Sequence, residues 1–153
     1  MVIKHNYIVQ KTIMDLFKNG ITKVEMNSLK QLKEPTYFWL SEYGDGIKVN
    51  KLKHDTLKWE EFEEIVKVAN KLGGKIYRGD VIAQDGNKVG NRIKEDCIEG
   101  VVAYMRNIEN GKSLTRRSTY FSGVLEKAGI ATVHRSDGQG SFITINEKYR
   151  NIK

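Results

Sequence analysis

Between Lys58 and Leu72 the chain carries one apolar stripe at helical spacing, and no other stretch restricts the fold so strongly. Trp59, Phe62, Ile65, Val66, Ala69 and Leu72 fall on one face, with Glu60, Glu61, Glu63, Glu64, Lys67 and Lys71 on the other. The acids sit in the first half and the lysines in the last, which complements the helix dipole, and Gly73-Gly74 supplies the stop. A helix with such a stripe needs a partner layer to cover it. With 39% hydrophobic and 29% charged residues, the 153-residue chain has the means to build that layer.

Ahead of this helix the signals alternate. Asn6 to Asn19 places Ile8 or Val9, Ile13, Leu16 and Phe17 at helical spacing before Gly20, and Thr22 with Glu25 has the capping-box spacing for a second helix reaching Lys33. Pro35, the one proline, ends that stretch. Two β-prone runs, 37–40 and 47–52, flank Gly44-Asp45-Gly46 and predict a hairpin. Beyond the long helix, Lys75-Ile76-Tyr77 reads as a short strand. The polar, Gly-rich stretch 84–94 reads as a linker, and Glu95 to Asn107 as a helix with Ile98, Val101, Val102 and Met105 inward.

The last third holds the most informative arrangement. Ser113 or Thr115 can cap a helix whose inward stripe is Leu114, Phe121, Val124, Leu125 and Ala128, and Gly129 stops it. Two strands follow, 130–135 and 141–145, around the loop Ser136-Asp137-Gly138-Gln139-Gly140. Turning about 100° per residue from Phe121 puts Arg116, Thr119, Tyr120, Gly123 and Lys127 on the outward face. Arg117 turns toward the core side unless it lies in the first turn. A glycine at an exposed helix position costs about 1 kcal/mol relative to Ala, so Gly123 suggests a close approach by a backbone or a phosphate.

Charge adds to this pattern. Twenty-six Lys and Arg against nineteen Asp and Glu leave +7, and residues 74–153 alone carry fourteen basic and nine acidic side chains, a net +5. Such an excess attracts polyanions, because neutralising phosphates releases condensed counterions. The string Val124-Leu125-Glu126-Lys127-Ala128-Gly129-Ile130, with the basic hairpin after it, resembles the recognition helix and wing of winged-helix DNA-binding domains. The resemblance covers about residues 95–146 and departs from the family at one point. Only Glu109-Asn110-Gly111-Lys112 separates the two helices, where a winged helix has a short second helix before the recognition helix. The resemblance implies DNA contacts from Lys112, Arg116, Arg117, Thr119, Tyr120 and Lys127 on the helix side, and from His134, Arg135 and Gln139 on the hairpin. Arg donates two bonds to guanine, hydroxyls reach phosphates, and Lys supplies charge.

Other chemistries find less support. No Asp-x-Lys or Glu-x-Lys pair of the common metal-dependent nucleases occurs, and His5, His54 and His134 are dispersed around a single cysteine, Cys97. Asp80, Asp85, Asp96 and Glu99 are the acids that would have to converge for a metal, and Arg78-Gly79-Asp80 reads as a turn. Phosphate-cradling glycine loops and the nucleophile elbow are missing from the sequence. Tyr7, Tyr37, Phe38, Trp39 and Tyr43 offer rings for core packing or for stacking. A lone cysteine and the lack of a long apolar run point to a cytoplasmic protein with no membrane partner.

The expected fold is therefore α+β: a helix-and-hairpin unit over 1–83, a linker over 84–94 and a winged-helix-like unit over 95–153. The expected function is selective DNA binding without cofactor, metal or catalytic residues, with RNA as the other polyanion to test. A homodimer would suit paired half-sites. Two rival functions are a small metal-dependent nuclease that docks through the winged helix and a protein-interaction module.

Overall fold

The computed structural model describes residues 7–27, 34–79, 96–108, 116–137 and 140–153, with the backbone alone at 135–137. The fold is α+β, as expected, with two antiparallel sheets. The first sheet is a meander of β1 (Val24–Glu25), β2 (Tyr37–Leu40), β3 (Gly46–Val49) and β4 (Leu52–Lys58), paired in chain order. It follows helix α1 (Ile8–Met14), which tightens into a 3-10 turn over Asp15–Phe17. Then come α2 (Trp59–Lys71), β5 (Lys75–Tyr77), α3 (Ile98–Met105), α4 (Ser118–Lys127), β6 (Ala131–Asp137) and β7 (Gly140–Ile145), before a closing 3-10 turn at Glu147–Tyr149.

The hairpin expected around Gly44-Asp45-Gly46 joins β2 to β3. Ser41 N–H donates to the Gly46 carbonyl at 2.9 Å, and the Asp45 N–H donates back to Ser41 Oγ at 3.0 Å. Gly46 has a steric reason for its identity: a Cβ there would overlap the Leu57 carbonyl across the β3–β4 pair. The run 47–52 is not one strand. A turn at Asn50-Lys51 splits it, and β4 continues to the start of α2, an element that the sequence reading left out.

The expected helix 22–33 is also corrected. Val24 and Glu25 pair with Phe38 and Tyr37, and the Met26 N–H donates to the Thr36 carbonyl at 2.8 Å. A free sheet edge beside β-branched Thr22 and Val24 outweighs the capping-box spacing, as tertiary contacts commonly override weak propensities. Residues 28–33 lie outside the described residues, as does the expected linker 84–94.

The second sheet has the order β5-β7-β6. Its registers place Ile76, Ile143 and Val133 side by side on the inner face, and Tyr77, Phe142 and His134 side by side on the outer face. The stripe of α2 packs as expected at Trp59, Phe62, Ile65, Val66 and Ala69, but Leu72, the capping residue past the helix, is exposed, and Glu61, expected on the solvent face, is buried. One buried cluster joins Phe62 and Ile65 of α2 to Ile98 and Val102 of α3, to Phe121, Val124 and Leu125 of α4, and to Ile76 and Ile143 of the sheet. The rings of Phe62 and Phe121 meet edge to face at 4.9 Å. The strand β5, counted by sequence with the first 83 residues, is hydrogen-bonded to the C-terminal hairpin.

Candidate nucleic-acid interface

Helix α4 begins at Ser118, with Arg117 in the capping position. Its first amides are satisfied from another helix: the Arg117 and Ser118 N–H groups both donate to Glu99 Oε1 at 3.1 Å. Glu99 is 2% exposed, and its carboxylate sits at the end where the helix dipole is positive. Of the four acids considered as a metal cluster, Glu99 thus serves as a helix cap, while Asp80 and Asp85 lie outside the described residues. Among the described residues no three His, Cys, Asp or Glu side chains are grouped to hold a metal ion.

Arg117 is not a surface residue. Its side chain, 14% exposed, forms an ion pair with Asp55 of β4. The other oxygen of Asp55 accepts Arg106 Nη1 at 2.8 Å, and Arg106 also makes a two-pronged contact with Glu61, at 2.6 and 2.9 Å. Burial pushes the Asp55 carboxyl up, but the hydrogen bonds and charges of Arg117 and Arg106 outweigh it and hold the group below the usual carboxylate value. Burial likewise works against the Arg106 cation, and Glu61 and Asp55 more than reverse this, so its pKa lies above the ordinary arginine value. The expected DNA contact from Arg117 is corrected by this geometry: its guanidinium is committed to the fold.

Gly123 also changes meaning. It is buried, and a Cβ placed there would lie 2.7 Å from Met26 Sδ. The close approach inferred from the sequence is real, but a protein side chain makes it. Next to it, Asn27 Nδ2 donates to Glu126 Oε1 and Lys127 Nζ donates to Asn27 Oδ1, both at 3.4 Å. The segment after β1 therefore covers the outward face at Gly123, while Lys127, one turn further on, stays exposed. At the N-terminal end Arg116 and Thr119 are exposed and Tyr120 is half-buried.

On the hairpin, His134 stands on the outer face of the sheet. Its ring stacks on Phe142 at 4.8 Å and 10°, and its Nε2 is 2.8 Å from Thr144 Oγ1. Since α4 packs through the inner face, His134 and the helix residues do not share one surface. Lys112 and Gln139 lie outside the described residues, and the Arg135 side chain is not described. Two features escaped the sequence reading. One is the network Glu61–Arg106–Asp55–Arg117, whose members are scattered along the chain and carry no spacing signal. The other is the ring row Tyr77–Phe142–His134, which strand alternation would have revealed once β5 was paired with β7.

No family model matches this chain, and neither a curated protein nor a solved structure does. No helix among the described residues is long and apolar enough to cross a membrane.

Proposed function

We propose that this is a DNA-binding protein of winged-helix type that docks through the N-terminal half of α4 and the residue Arg116 just ahead of it. The observation that carries the proposal is the element order among the described residues: helix α2, strand β5, helix α3, helix α4, then the hairpin, with β5 paired to β7. In this reading α3 stands for the short helix that precedes a recognition helix. Arg116, Thr119 and Tyr120 supply the donors and hydroxyls that such docking uses, since the first residues of a recognition helix are the ones that reach base edges. The net +5 of residues 74–153 supports the same function.

Titration of the full chain against a labelled random duplex tests it. Arg116→Ala with Thr119→Ala should weaken binding about tenfold without moving the melting temperature, in line with roughly 1–3 kcal/mol for a good base contact. Unchanged affinity in that double variant would place the interface elsewhere.

A further inference from the structure

The first sheet loses its register where it meets the start of α4. Ile47 pairs with Leu57 and Val49 with Leu52, so two steps along β3 are matched by five along β4, and β4 bulges between these pairs. The bulge is held from several sides. Lys48 Nζ of β3 donates to the Asp55 carbonyl at 3.1 Å, and Arg106 Nη2 donates to the Thr56 carbonyl at 3.0 Å. The Asp55 carboxylate pairs with Arg117, the capping residue of α4.

The other residues of the bulge, Lys53 and His54, are both exposed, although strict alternation would turn one of them inward. Their neighbour Lys51 is paired with Glu34 at 3.8 Å, whereas among the described residues no ion pair engages Lys53 or Arg116. Inside the network the charges balance, Arg106 and Arg117 against Asp55 and Glu61. Lys53 and Arg116 are therefore surplus positive charge, and they flank a single contact: Lys53 is two residues ahead of Asp55, and Arg116 is next to Arg117. Two residues of extended chain span about 7 Å. A duplex carries a charge about every 3.4 Å of axis along each strand, so a backbone that passes Arg116 offers further phosphates to Lys53.

We infer that the β4 bulge is a phosphate-contacting arm of the DNA interface, in which Lys53, with His54 beside it, grips the duplex backbone next to the bases that α4 reads. This assignment rests on the docking proposed for α4 and adds to it an element of the first sheet, outside the winged-helix part of the chain. Its contact is to phosphate, so it strengthens binding to every sequence alike and leaves selectivity to α4. The Asp55–Arg117 pair joins arm and helix, which places both on one side of the molecule.

The probes are short labelled duplexes of two unrelated sequences, titrated with the full chain over a salt series, and poly-glutamate as a polyanion without phosphates. Lys53→Ala should lower affinity by the same factor for both duplexes and flatten the log–log salt slope by about 0.9, one phosphate's worth. Lys53→Arg should restore both. Lys71→Ala removes the same charge from the end of α2 remote from β4, and it should leave the slope unchanged. Lys53 and Lys71 are exposed, and a melting curve of each variant checks that it folds. A Lys53→Ala slope no flatter than that of Lys71→Ala overturns the inference. If Arg116→Ala with Thr119→Ala still weakens binding in that case, docking by α4 stands and only the arm falls. A flattened slope in Lys53→Ala beside full affinity in the Arg116 and Thr119 double variant keeps the arm and removes α4 from the contact. Poly-glutamate bound as tightly as duplex, and weakened equally by Lys53→Ala, overturns the inference in favour of an acidic protein partner.

Discussion

One carboxylate, that of Asp55, holds Arg106 and Arg117 together: Oδ1 accepts Arg106 Nη1 at 2.8 Å and Oδ2 accepts the Nε of Arg117. Arg106 closes α3 and Arg117 opens α4, so a residue of the first sheet fixes the distance between the end of one helix and the start of the next. If α4 presents residues to DNA, Asp55 sets the angle at which it does so without touching the ligand.

Asp55→Ala should lower stability by about 3 kcal/mol in urea unfolding, the lower end for breaking an internal ion pair, since its side chain keeps 20% exposure. Arg117→Ala should also destabilise. In a double-mutant cycle the two losses should fall short of additivity by more than about 0.5 kcal/mol. Strict additivity would mean that the contact contributes nothing.

The same pair gives an acid signature. Asp55 is held below its unfolded value, about 3.9, so its contribution is complete above that value and disappears as pH falls through the lower folded one. Glu63 runs the other way. Burial raises its carboxyl, against a Gln10 N–H bond at 3.2 Å, so the folded state is relatively favoured at low pH and loses that advantage as pH rises past about 4.3. Melting temperatures should show Glu63→Gln more stable than the parent at pH 7 and level with it at pH 3. Asp55→Asn should melt with less dependence on pH between 5 and 3 than the parent.

Glu99→Ala removes the acceptor for the first two amides of α4, and the loss should be about 1–2 kcal/mol, as for other N-terminal caps. Hydrogen exchange should report it locally, with amides 117–120 losing protection first. Uniform loss across the chain would contradict the cap.

Gly123→Ala separates the two meanings of that glycine. On an open helix surface it would stabilise by about 1 kcal/mol. Here the added methyl would meet the flexible end of Met26, with Sδ 2.7 Å away, so that side chain must move aside and the gain should fall well short of that figure. In a Met26→Ala background the same change should show the full helix gain.

Much of this fold is legible in periodicity. The stripe from Trp59 to Ala69, the helix 98–105, the inward set Phe121, Val124 and Leu125, and the C-terminal hairpin all follow from spacing, because each repeats its signal over several turns or pairs. Val24–Glu25 does not: two residues on a sheet edge leave no period, and their strand state depends on Tyr37 and Phe38, more than ten positions away. The outward face of α4 could be drawn as a wheel, but its neighbours could not. Arg117 meets Asp55 across 62 positions, and Gly123 meets Met26 across 97. The wheel therefore names Thr119 as exposed while missing that Gly123 is covered, and Arg116, which it also placed on the helix, lies ahead of the cap residue Arg117.

The most direct measurement of the central claim is the affinity of the full chain for a random-sequence duplex over a salt series. Docking by α4 predicts measurable binding at low salt that weakens linearly in log–log form, and a lower affinity in Arg116→Ala. A chain that binds no duplex at low salt, or an Arg116→Ala protein indistinguishable from the parent, would contradict it.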